Sequence, residues 1–380
     1  MNRYLATLDQ LREESRLRAI PPDRGSAELI DLCSNDYMGL ASRASEWRDE
    51  FASRFGNVSM TASASRLLAR DQRFFTMLEE WLSDRYGRPA LMFNSGYHAN
   101  TGLVPALNVP GTLWLPDKLV HASVIDGLRL AGAEFRRWSH NDTIALRRIV
   151  EKHRHDYERL IVVCESVYSM DGDIAPLAEL TAMKEEFPEI MLYVDEAHAV
   201  GCFGETGLGL CDQLGLADKV DVLVGTFGKA CASVGAFAVT DSAMREYLVN
   251  TARSLIFSTA IAPANAAWTL LMLEKLETMH DERSRLREIS RSFKATVESL
   301  TGAKNSSESA IVPLITGDSR RAVEISRALE KKGVLALPIR RPTVPPGGER
   351  IRFSLSAALT QRQLDHVAEI LTESFLNTQK

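Results

Sequence analysis

Short, almost entirely apolar segments that end in polar clusters constrain the fold of this 380-residue chain most strongly. Residues 160–164, 190–194 and 220–224 are the clearest of these segments. Because they do not alternate between apolar and polar residues, they are typical of strands buried on both faces of a parallel sheet flanked by helices. Ligands of such sheets bind beyond the carboxyl ends of the strands. The residues that follow the three segments are therefore the first candidates for a functional site.

Each segment is followed by side chains that could take part in chemistry. Asp195 and His198 follow the second segment, Lys229 follows the third, and residues 165–171 (ESVYSMD) follow the first. Because neighbouring parallel strands end at the same edge of a sheet, we expect a carboxylate and an amine close together. Taken singly, each feature has a plainer interpretation. A lysine after a glycine is usually a surface residue, and Asp-x-x-His is often a helix cap or a core hydrogen bond.

Composition and motifs argue against several classes of protein. The chain has 45 basic and 50 acidic residues, so neither nucleic acid nor a membrane surface is predicted as a partner. Residues 1–20 lack the apolar segment of a signal peptide. Five scattered cysteines without a C-x-x-C pair indicate reduced thiols, no metal site and a cytoplasmic location. A nucleotide-binding module is disfavoured, because GTFGKA lacks the spacing of a phosphate-binding loop and no G-x-G-x-x-G follows a strand.

The last quarter of the chain has a different pattern and predicts a second domain. Apolar residues recur every three or four positions over residues 286–300, which predicts a long helix. Residues 350–356 alternate, with Arg350 and Arg352 on the polar face, which predicts a half-buried strand. The predicted domains are a helical N-terminal arm (residues 1–40), a large domain (41–275) and a smaller α+β domain (276–380).

Eight stretches of the chain, taken in order, resemble the α-oxoamine synthase family of pyridoxal-phosphate enzymes. Any one of them is a weak signal, but all eight in the correct order are specific. The resemblance implies an α/β fold like that of aspartate aminotransferase (fold type I), with a mostly parallel sheet, and pyridoxal 5′-phosphate as cofactor. The stretches are SNDYMGL (34–40), FNSGYHAN (93–100), DKLVHAS (117–123), ESVYSMDGDIAPL (165–177), VDEAHAVGCFGETGLG (194–209), TFGKA (226–230), FSTAIAP (257–263) and RRPTVPPGGERIRFSLSAA (340–358).

The resemblance also implies roles for individual residues. Lys229 is similar to the lysine that binds the aldehyde of the cofactor. Asp195 is similar to the carboxylate that keeps the ring nitrogen protonated, and His121 to the histidine that stacks on the ring and assists the acyl steps. These three are the predicted catalytic residues. The predicted cofactor-binding residues are Gly96, Tyr97, His121, Ser169, Asp195, His198, Thr226, Lys229, Ser258 and Thr259.

Fewer residues are implied for the substrates. Arg352 resembles the arginine that grips the amino acid carboxylate with both ends of its guanidinium. Asn35 and Thr343 resemble residues of the same pocket. Arg350 lies on the same strand face as Arg352, so alternation alone does not choose between them. Arg18 is similar to a basic residue near the distal carboxylate of the acyl chain, and a surface arginine of the N-terminal helix is the alternative interpretation.

The implied reaction is a decarboxylative condensation of L-alanine with a pimeloyl thioester of coenzyme A or acyl carrier protein, in biotin biosynthesis. The stretch with Ser258 and Thr259 resembles one that reaches a phosphate in the neighbouring subunit, which implies a homodimer with shared active sites. Family members that use glycine or serine with another acyl-CoA stay open as alternatives, as does an inert protein on the same scaffold. Residues 61–66 (TASASR), Arg70 and Phe75 depart from the family pattern, so the acyl donor is less firmly implied than the reaction type.

Overall fold

A computed structural model of the protein describes residues 2–21 and 29–377. The chain divides into two units. The larger unit comprises Met38–Ser169 and Ile174–Arg283, and the smaller one comprises the described residues of Met1–Tyr37, Met170–Asp173 and Ser284–Lys380. The predicted three-part division at residues 40 and 275 stays a prediction.

The helices and strands of the described residues are numbered in chain order. The α-helices are α1 (Asn2–Glu13), α2 (Arg48–Phe55), α3 (Arg73–Tyr86), α4 (Gly96–Leu107), α5 (Ala122–Leu130), α6 (Thr143–His153), α7 (Leu177–Glu186), α8 (Leu210–Gln213), α9 (Ser242–Thr251), α10 (Arg253–Ile256), α11 (Pro263–Glu277), α12 (His280–Thr301), α13 (Ser319–Lys331) and α14 (Gln361–Asn377). Short 3₁₀ helices span Ala44–Trp47 and Ala217–Lys219. The strands are β1 (Ile30–Asp31), β2 (Ala90–Phe93), β3 (Thr112–Pro116), β4 (Arg159–Glu165), β5 (Ile190–Asp195), β6 (Val222–Thr226), β7 (Ala236–Val239), β8 (Ile311–Ile315), β9 (Val334–Leu335), β10 (Leu337–Ile339) and β11 (Arg350–Ser354).

A six-stranded sheet of order β2-β7-β6-β5-β4-β3 forms the centre of the larger unit. Strands β3 to β6 are parallel to one another, and β7 is antiparallel to both β2 and β6. The three predicted segments are β4, β5 and β6, and every residue in them except Arg159 is buried. Burial on both faces explains why these strands do not alternate, and each buried Val, Leu or Ile contributes about 1.5–3 kcal/mol. The mixed, mostly parallel sheet confirms the predicted fold class.

The smaller unit contains an antiparallel sheet of order β10-β11-β8 and a parallel pair of β1 and β9. The prediction that β11 is half-buried is wrong, because all five of its residues are buried, including Arg350 and Arg352. Strand β11 is the central strand of its sheet, and side chains of Asn35, Tyr37 and Asp171 contact its arginines from the same unit. The alternation of apolar and polar residues in β11 therefore distinguishes an apolar face from a polar face, but both faces are buried.

Helix α12 confirms the predicted long helix. Leu286, Ile289, Phe293 and Val297 recur every three or four residues along it, and all four are buried. Helix α1 likewise confirms the predicted N-terminal helix. Over residues 2–21 and 29–377, no helix combines the length and the apolar character needed to cross a membrane.

Candidate active site

Three neighbouring strands of the larger unit end at one site. Glu165 and Asp195 are the last residues of β4 and β5, and they lie opposite each other in the parallel register. Asp195 in turn lies opposite Val224 of β6, and Lys229 follows the end of β6 by three residues. The register therefore brings two carboxylates and the predicted cofactor lysine to the same edge of the sheet, as the order of the segments predicted.

Asp195 is a buried carboxylate with an N–H donor on each oxygen. The backbone N–H of Ala197 donates to Oδ1 at 3.0 Å, and the side-chain amide of Asn100 donates to Oδ2 at 2.9 Å. Asn100, from α4, is itself buried, and its Oδ1 accepts the hydroxyl of Tyr193 at 2.6 Å. These two neutral donors fix the orientation of the carboxylate but bring no positive charge to it. Because a buried charge is costly unless it is paired, the site suits a cationic group beside Asp195.

Glu165 was not predicted as a site residue. It is only 3% exposed, and its Oε2 accepts the backbone N–H of Ser169 at 3.2 Å. Burial and the neighbouring Asp195 raise the pKa of Glu165 to about 8, against the opposing effects of Lys229 and of the backbone N–H groups of Ser169 and His121. At neutral pH Glu165 therefore holds a proton. One signal could have found it, because Glu165 directly follows its apolar segment just as Asp195 follows its own.

His121 is the N-cap of α5. Its Nδ1 accepts the backbone N–H of Ser123 at 3.3 Å and lies 2.7 Å from the Ser123 hydroxyl. His121 is in part exposed to solvent, yet the surrounding protein desolvates the imidazole enough to lower the pKa of His121. Asp195 and Asp126 oppose that shift, and Lys229 reinforces it. The lowered pKa leaves His121 neutral at pH 7.

Helix α4 begins at Gly96, as the resemblance implied. Ser95 caps the helix by accepting the backbone N–H of His98 at 3.2 Å. Gly96 and Tyr97 occupy its first two positions, whose N–H groups have no acceptor within a helix and are natural ligands of a phosphate. The Tyr97 hydroxyl donates to Asp126 at 2.8 Å, and this hydrogen bond raises the pKa of Tyr97.

Thr226 and Ser258 both contact residues around the start of this helix. A Cβ built on Gly96 would come 3.9 Å from the Cβ of Thr226, so the two residues are neighbours. The Thr226 hydroxyl donates to the carbonyl of Gly235 at 3.0 Å. Ser258 accepts the side-chain amide of Asn94 at 2.9 Å, and Asn94 directly follows β2.

The other predicted cofactor residues lie in the loops after the strands. Ser169 follows β4, with its backbone held by Glu165. His198 is buried in the turn after β5. Thr259 is exposed and forms an isolated antiparallel bridge with Ser65. Their roles toward a cofactor stay predictions.

Glu196 is a second residue that sequence reasoning missed, and it fixes the loop that follows β5. Its buried carboxylate accepts the backbone N–H groups of Leu210 at 2.8 Å and Cys211 at 2.9 Å, the first residues of α8. Gly209 precedes them with φ +119°, and a Cβ there would lie 1.8 Å from a carboxylate oxygen of Glu196. The backbone of the loop thus approaches Glu196 more closely than any other residue type allows, beside Asp195.

Two of the predicted substrate residues form a pair in the smaller unit. The Arg352 guanidinium donates to Oδ1 of Asn35 at 3.2 Å from two nitrogens, and also contacts Ser354 at 2.6 Å and the Tyr37 hydroxyl at 3.3 Å. Arg350, in contrast, forms an ion pair with Asp171 at 2.6 Å and donates to the Met170 carbonyl at 3.1 Å. The two arginines of one strand face thus differ in surroundings, with a carboxylate against Arg350 and amide and hydroxyl oxygens against Arg352.

Arg18 and Thr343 form the other pair. Arg18 lies beyond α1, which ends at Glu13, so it is an exposed arginine but not one of the helix. Its guanidinium donates to the Thr343 hydroxyl at 2.7 Å. Arg340 lies nearby, and burial together with the charge of Arg18 lowers the pKa of Arg340. This part of the smaller unit is therefore positively charged.

Two residues of the stretches that depart from the family pattern, Arg66 and Phe75, contact each other. Phe75 is buried in α3, and the guanidinium of Arg66 lies over its ring at 4.6 Å. Glu79 pairs with Arg66 at 3.2 Å and with Arg245 at 3.0 Å. Phe75 thus supplies an aromatic face for Arg66, whose charge is met by Glu79. Arg70 is exposed.

Comparisons with known proteins agree with this geometry. The family model "Aminotransferase class I and II" matches residues 27–371. A relative from Haemophilus ducreyi named 8-amino-7-oxononanoate synthase is 48% identical over 347 residues, which cover 89% of each chain. Among solved structures, an 8-amino-7-oxononanoate synthase from Francisella tularensis has 26% identity and a TM-score of 0.76, covering 93% of this chain and 99% of that one.

A further solved structure is a variant of serine palmitoyltransferase from S. paucimobilis with bound pyridoxal phosphate and myriocin. It is 29% identical, with a TM-score of 0.89, and the match covers 99% of this chain and 97% of that one. Both kinds of solved relative are α-oxoamine synthases. Because the family model spans most of the chain and the relative from H. ducreyi is closely similar over almost its whole length, this chain belongs to the class I and II aminotransferase family and, within it, to the α-oxoamine synthases.

Proposed function

We propose that the chain is a pyridoxal-phosphate enzyme that condenses L-alanine with a pimeloyl thioester, releasing carbon dioxide and the free thiol and forming 8-amino-7-oxononanoate for biotin biosynthesis. The observation that carries the proposal is the position of Lys229 and Asp195 at the ends of neighbouring parallel strands. A relative that is named for this product and is 48% identical supports the choice within the family.

The residues of the larger unit fit pyridoxal phosphate. When bound, the cofactor acts as an electron sink for negative charge at the Cα of the amino acid. Asp195 is a buried carboxylate suited to a protonated ring nitrogen, and Lys229 provides the amine for the aldehyde. The start of α4 at Gly96 offers backbone N–H groups to the phosphate. His198, Ser169 and Thr226 are proposed as further contacts.

The proton and charge movements are assigned to side chains of this chain. The Lys229 amine removes the proton from the Cα of alanine, because it is the base held at the strand ends beside Asp195. The new bond joins that Cα to the thioester carbonyl carbon, and the thiolate leaves and takes a proton from solvent. The alanine carboxylate then departs as carbon dioxide, and Lys229 returns its proton to Cα. Arg352 holds this carboxylate until then, with Asn35 beside the guanidinium. Thr343 and Arg18 are proposed for the acyl substrate, where a positive charge suits its distal carboxylate.

The second candidate is the same condensation with glycine or serine as the amino acid and another acyl-CoA as the donor. The structural relative named serine palmitoyltransferase, at 29% identity, is the observation that supports it. An inert scaffold is disfavoured, because Lys229 and Asp195 are both present. Phe75 and Arg70, which depart from the family pattern, bear on the choice of acyl donor and not on the cofactor chemistry.

Product identification tests the proposal. The purified enzyme is offered alanine, glycine or serine with pimeloyl-CoA, pimeloyl acyl carrier protein or palmitoyl-CoA, and products are identified by mass spectrometry. We expect 8-amino-7-oxononanoate from alanine with a pimeloyl donor, and the two donors decide the carrier. In parallel, borohydride reduction and peptide mapping should find the pyridoxyl group on Lys229. A product from another amino acid would move the chain to the second candidate, and label on another lysine would overturn the site itself.

A further inference from the structure

A continuous series of hydrogen bonds links Asp195 to His121 in the larger unit. The amide nitrogen of Asn100 donates to Oδ2 of Asp195 at 2.9 Å and to the Ser123 hydroxyl at 2.9 Å. That hydroxyl lies 2.7 Å from Nδ1 of His121. Tyr193 begins the series by donating to Oδ1 of Asn100 at 2.6 Å. Asn100, Ser123 and Tyr193 are at most 1% exposed, so water does not compete for these bonds.

The direction of each bond follows from the chemistry of its members. Asp195 only accepts when ionised, so Asn100 must turn its NH₂ group toward it. The carbonyl of Asn100 then faces Tyr193, whose pKa is raised well above its usual range by burial and by Asp195, so the phenol stays a donor. The second N–H of Asn100 occupies a lone pair of the Ser123 oxygen. The Ser123 hydroxyl keeps its own proton, which it donates to Nδ1 of His121 when that nitrogen is unprotonated.

A second donor reaches the same nitrogen of His121. The backbone N–H of Ser123 points to Nδ1 at 3.3 Å, and a backbone N–H can only donate. Nδ1 must therefore offer a lone pair, which places the ring proton on Nε2. We infer that Asn100 and Ser123 are positioning residues that hold His121 as the neutral Nε2–H tautomer and connect it to the carboxylate of Asp195.

The geometry of this inference is independent of the proposed function, but its consequence for catalysis rests on that function. A neutral imidazole adds no positive charge beside a protonated ring nitrogen, and its Nε2–H remains available as a hydrogen-bond donor to the acyl substrate. The same logic governs a histidine whose tautomer is set by a partner on Nδ1 in other enzymes. Charged or titratable groups around His121 are Asp126 on its own helix, Asp195 and Glu165 at the strand ends, and Lys229.

The experiment is ¹⁵N NMR of the full chain loaded with pyridoxal phosphate and labelled at histidine. The His121→Asn variant identifies the His121 signals among the eight histidines. We expect a protonated Nε2 and an unprotonated Nδ1 between pH 6.5 and 8 in the parent enzyme. In Ser123→Ala the short hydroxyl bond is lost and only the longer backbone N–H at 3.3 Å still holds Nδ1, so the Nδ1–H tautomer should become partly populated and the titration midpoint of His121 should rise by about 0.5–1 pH unit. Asn100→Ala should shift the midpoint in the same direction by a smaller amount.

Controls separate positioning from general damage. Ser123→Thr keeps the hydroxyl and should restore the parent spectrum. Ser290→Ala removes another buried serine hydroxyl, one that donates to the Leu286 carbonyl in the smaller unit, and should leave the His121 signals unchanged. A protonated Nδ1 in the parent overturns the inference even if no variant folds, and so does an unchanged spectrum in Ser123→Ala. Because the tautomer is read without substrate, a wrong product in the functional assay leaves this result intact.

Discussion

At the scale of single residues, the charge of Asp195 is the property that the site depends on most. Each of its oxygens accepts an N–H, from Ala197 at 3.0 Å and from Asn100 at 2.9 Å. In Asp195→Asn one of these donors meets an NH₂ group, and the ring nitrogen of the cofactor loses its carboxylate. We expect weaker cofactor retention and a loss of about 2–4 kcal/mol of transition-state stabilisation, which lowers turnover roughly 30- to 1,000-fold. Cofactor content and kcat measure this, with the exposed Asp218→Asn as control; near-normal turnover would make Asp195 a structural residue.

The two buried arginines of β11 give a second prediction at this scale. Arg350 already faces Asp171 at 2.6 Å, whereas Arg352 lies against Asn35 and two hydroxyls. Arg352→Lys keeps the charge but loses the two-pronged guanidinium, so alanine affinity should fall roughly 10- to 100-fold with normal cofactor content. Arg350→Lys should reduce stability and leave alanine affinity near that of the parent. Cofactor absorbance during alanine titration decides between them, and the reverse result would move the carboxylate to Arg350.

Sequence reasoning succeeded and failed at this scale for physical reasons. Lys229 and Asp195 were predictable, because they follow apolar segments whose lack of alternation indicates a parallel sheet. Glu165 was missed, since its importance comes from lying opposite Asp195 across a strand pair, which requires the register. Asn100 was missed because its three partners are 23, 93 and 95 residues away along the chain. The pattern located strand ends but could not report which side chains meet there.

At the scale of elements, the loop after β5 depends on one close approach. Gly209 has φ +119°, and a Cβ there would lie 1.8 Å from Glu196, which holds the first N–H groups of α8. Gly209→Ala should displace that carboxylate and lower the free energy of unfolding by roughly 3 kcal/mol or more. Gly215→Ala is the matched control, because its φ is +65° but nothing lies within 4 Å, so about 1–2 kcal/mol is expected. Chemical denaturation measures the free energy of unfolding of both variants. Equal losses would mean that the Glu196 carboxylate can move away from a Cβ at residue 209 without loss of stability.

Helices and strands were predicted correctly where one face of the element is buried, as in α12, or where almost all of it is buried, as in β4 to β6. Strands β4, β5 and β6 and helix α12 lie where their apolar patterns predicted. Strand β11 was predicted at the correct place but with a solvent-exposed face, because a row of Arg350, Arg352 and Ser354 reads as surface. Their burial depends on Asn35, Tyr37 and Asp171, which are far away in the sequence, so alternation could not reveal it.

At the scale of the whole molecule, we propose that two copies of the chain associate. Leu68 and Phe257 are 79% and 70% exposed. In the sequence, each lies within three residues of the isolated bridge that joins Ser65 to Thr259 in the larger unit. Large apolar side chains clustered at a surface are typical of protein–protein interfaces. Sedimentation velocity should give a dimer for the parent and a weaker dimer for Leu68→Asp and Phe257→Asp. Ile144→Asp, at a side chain 66% exposed on α6, should sediment as the parent does; a monomeric parent would remove the shared active sites from the proposal.

Glu165 makes the stability of the whole chain depend on pH in a direction that can be worked out. Its pKa is about 8 in the folded chain and near 4.5 when unfolded. Between these values the folded chain holds a proton that the unfolded chain has lost, so the free energy of unfolding falls as pH rises through this window. Each unit of separation between the two pKa values corresponds to about 1.4 kcal/mol. The effect is complete above pH 8 and absent below about 4.5.

Glu165→Gln removes the titrating proton while keeping the shape of the side chain. The variant should therefore gain stability relative to the parent as pH rises from 5 to 8, when both are measured by thermal unfolding without pyridoxal phosphate. Glu186→Gln is the control, because the pKa of that exposed carboxylate is shifted in the opposite direction, downward, by the hydrogen bond from Arg147. This variant should therefore gain no stability relative to the parent between pH 5 and 8. A constant difference between Glu165→Gln and the parent from pH 5 to 8 would mean that Glu165 is ionised in the folded chain, and that two negative charges are tolerated side by side at the ends of β4 and β5.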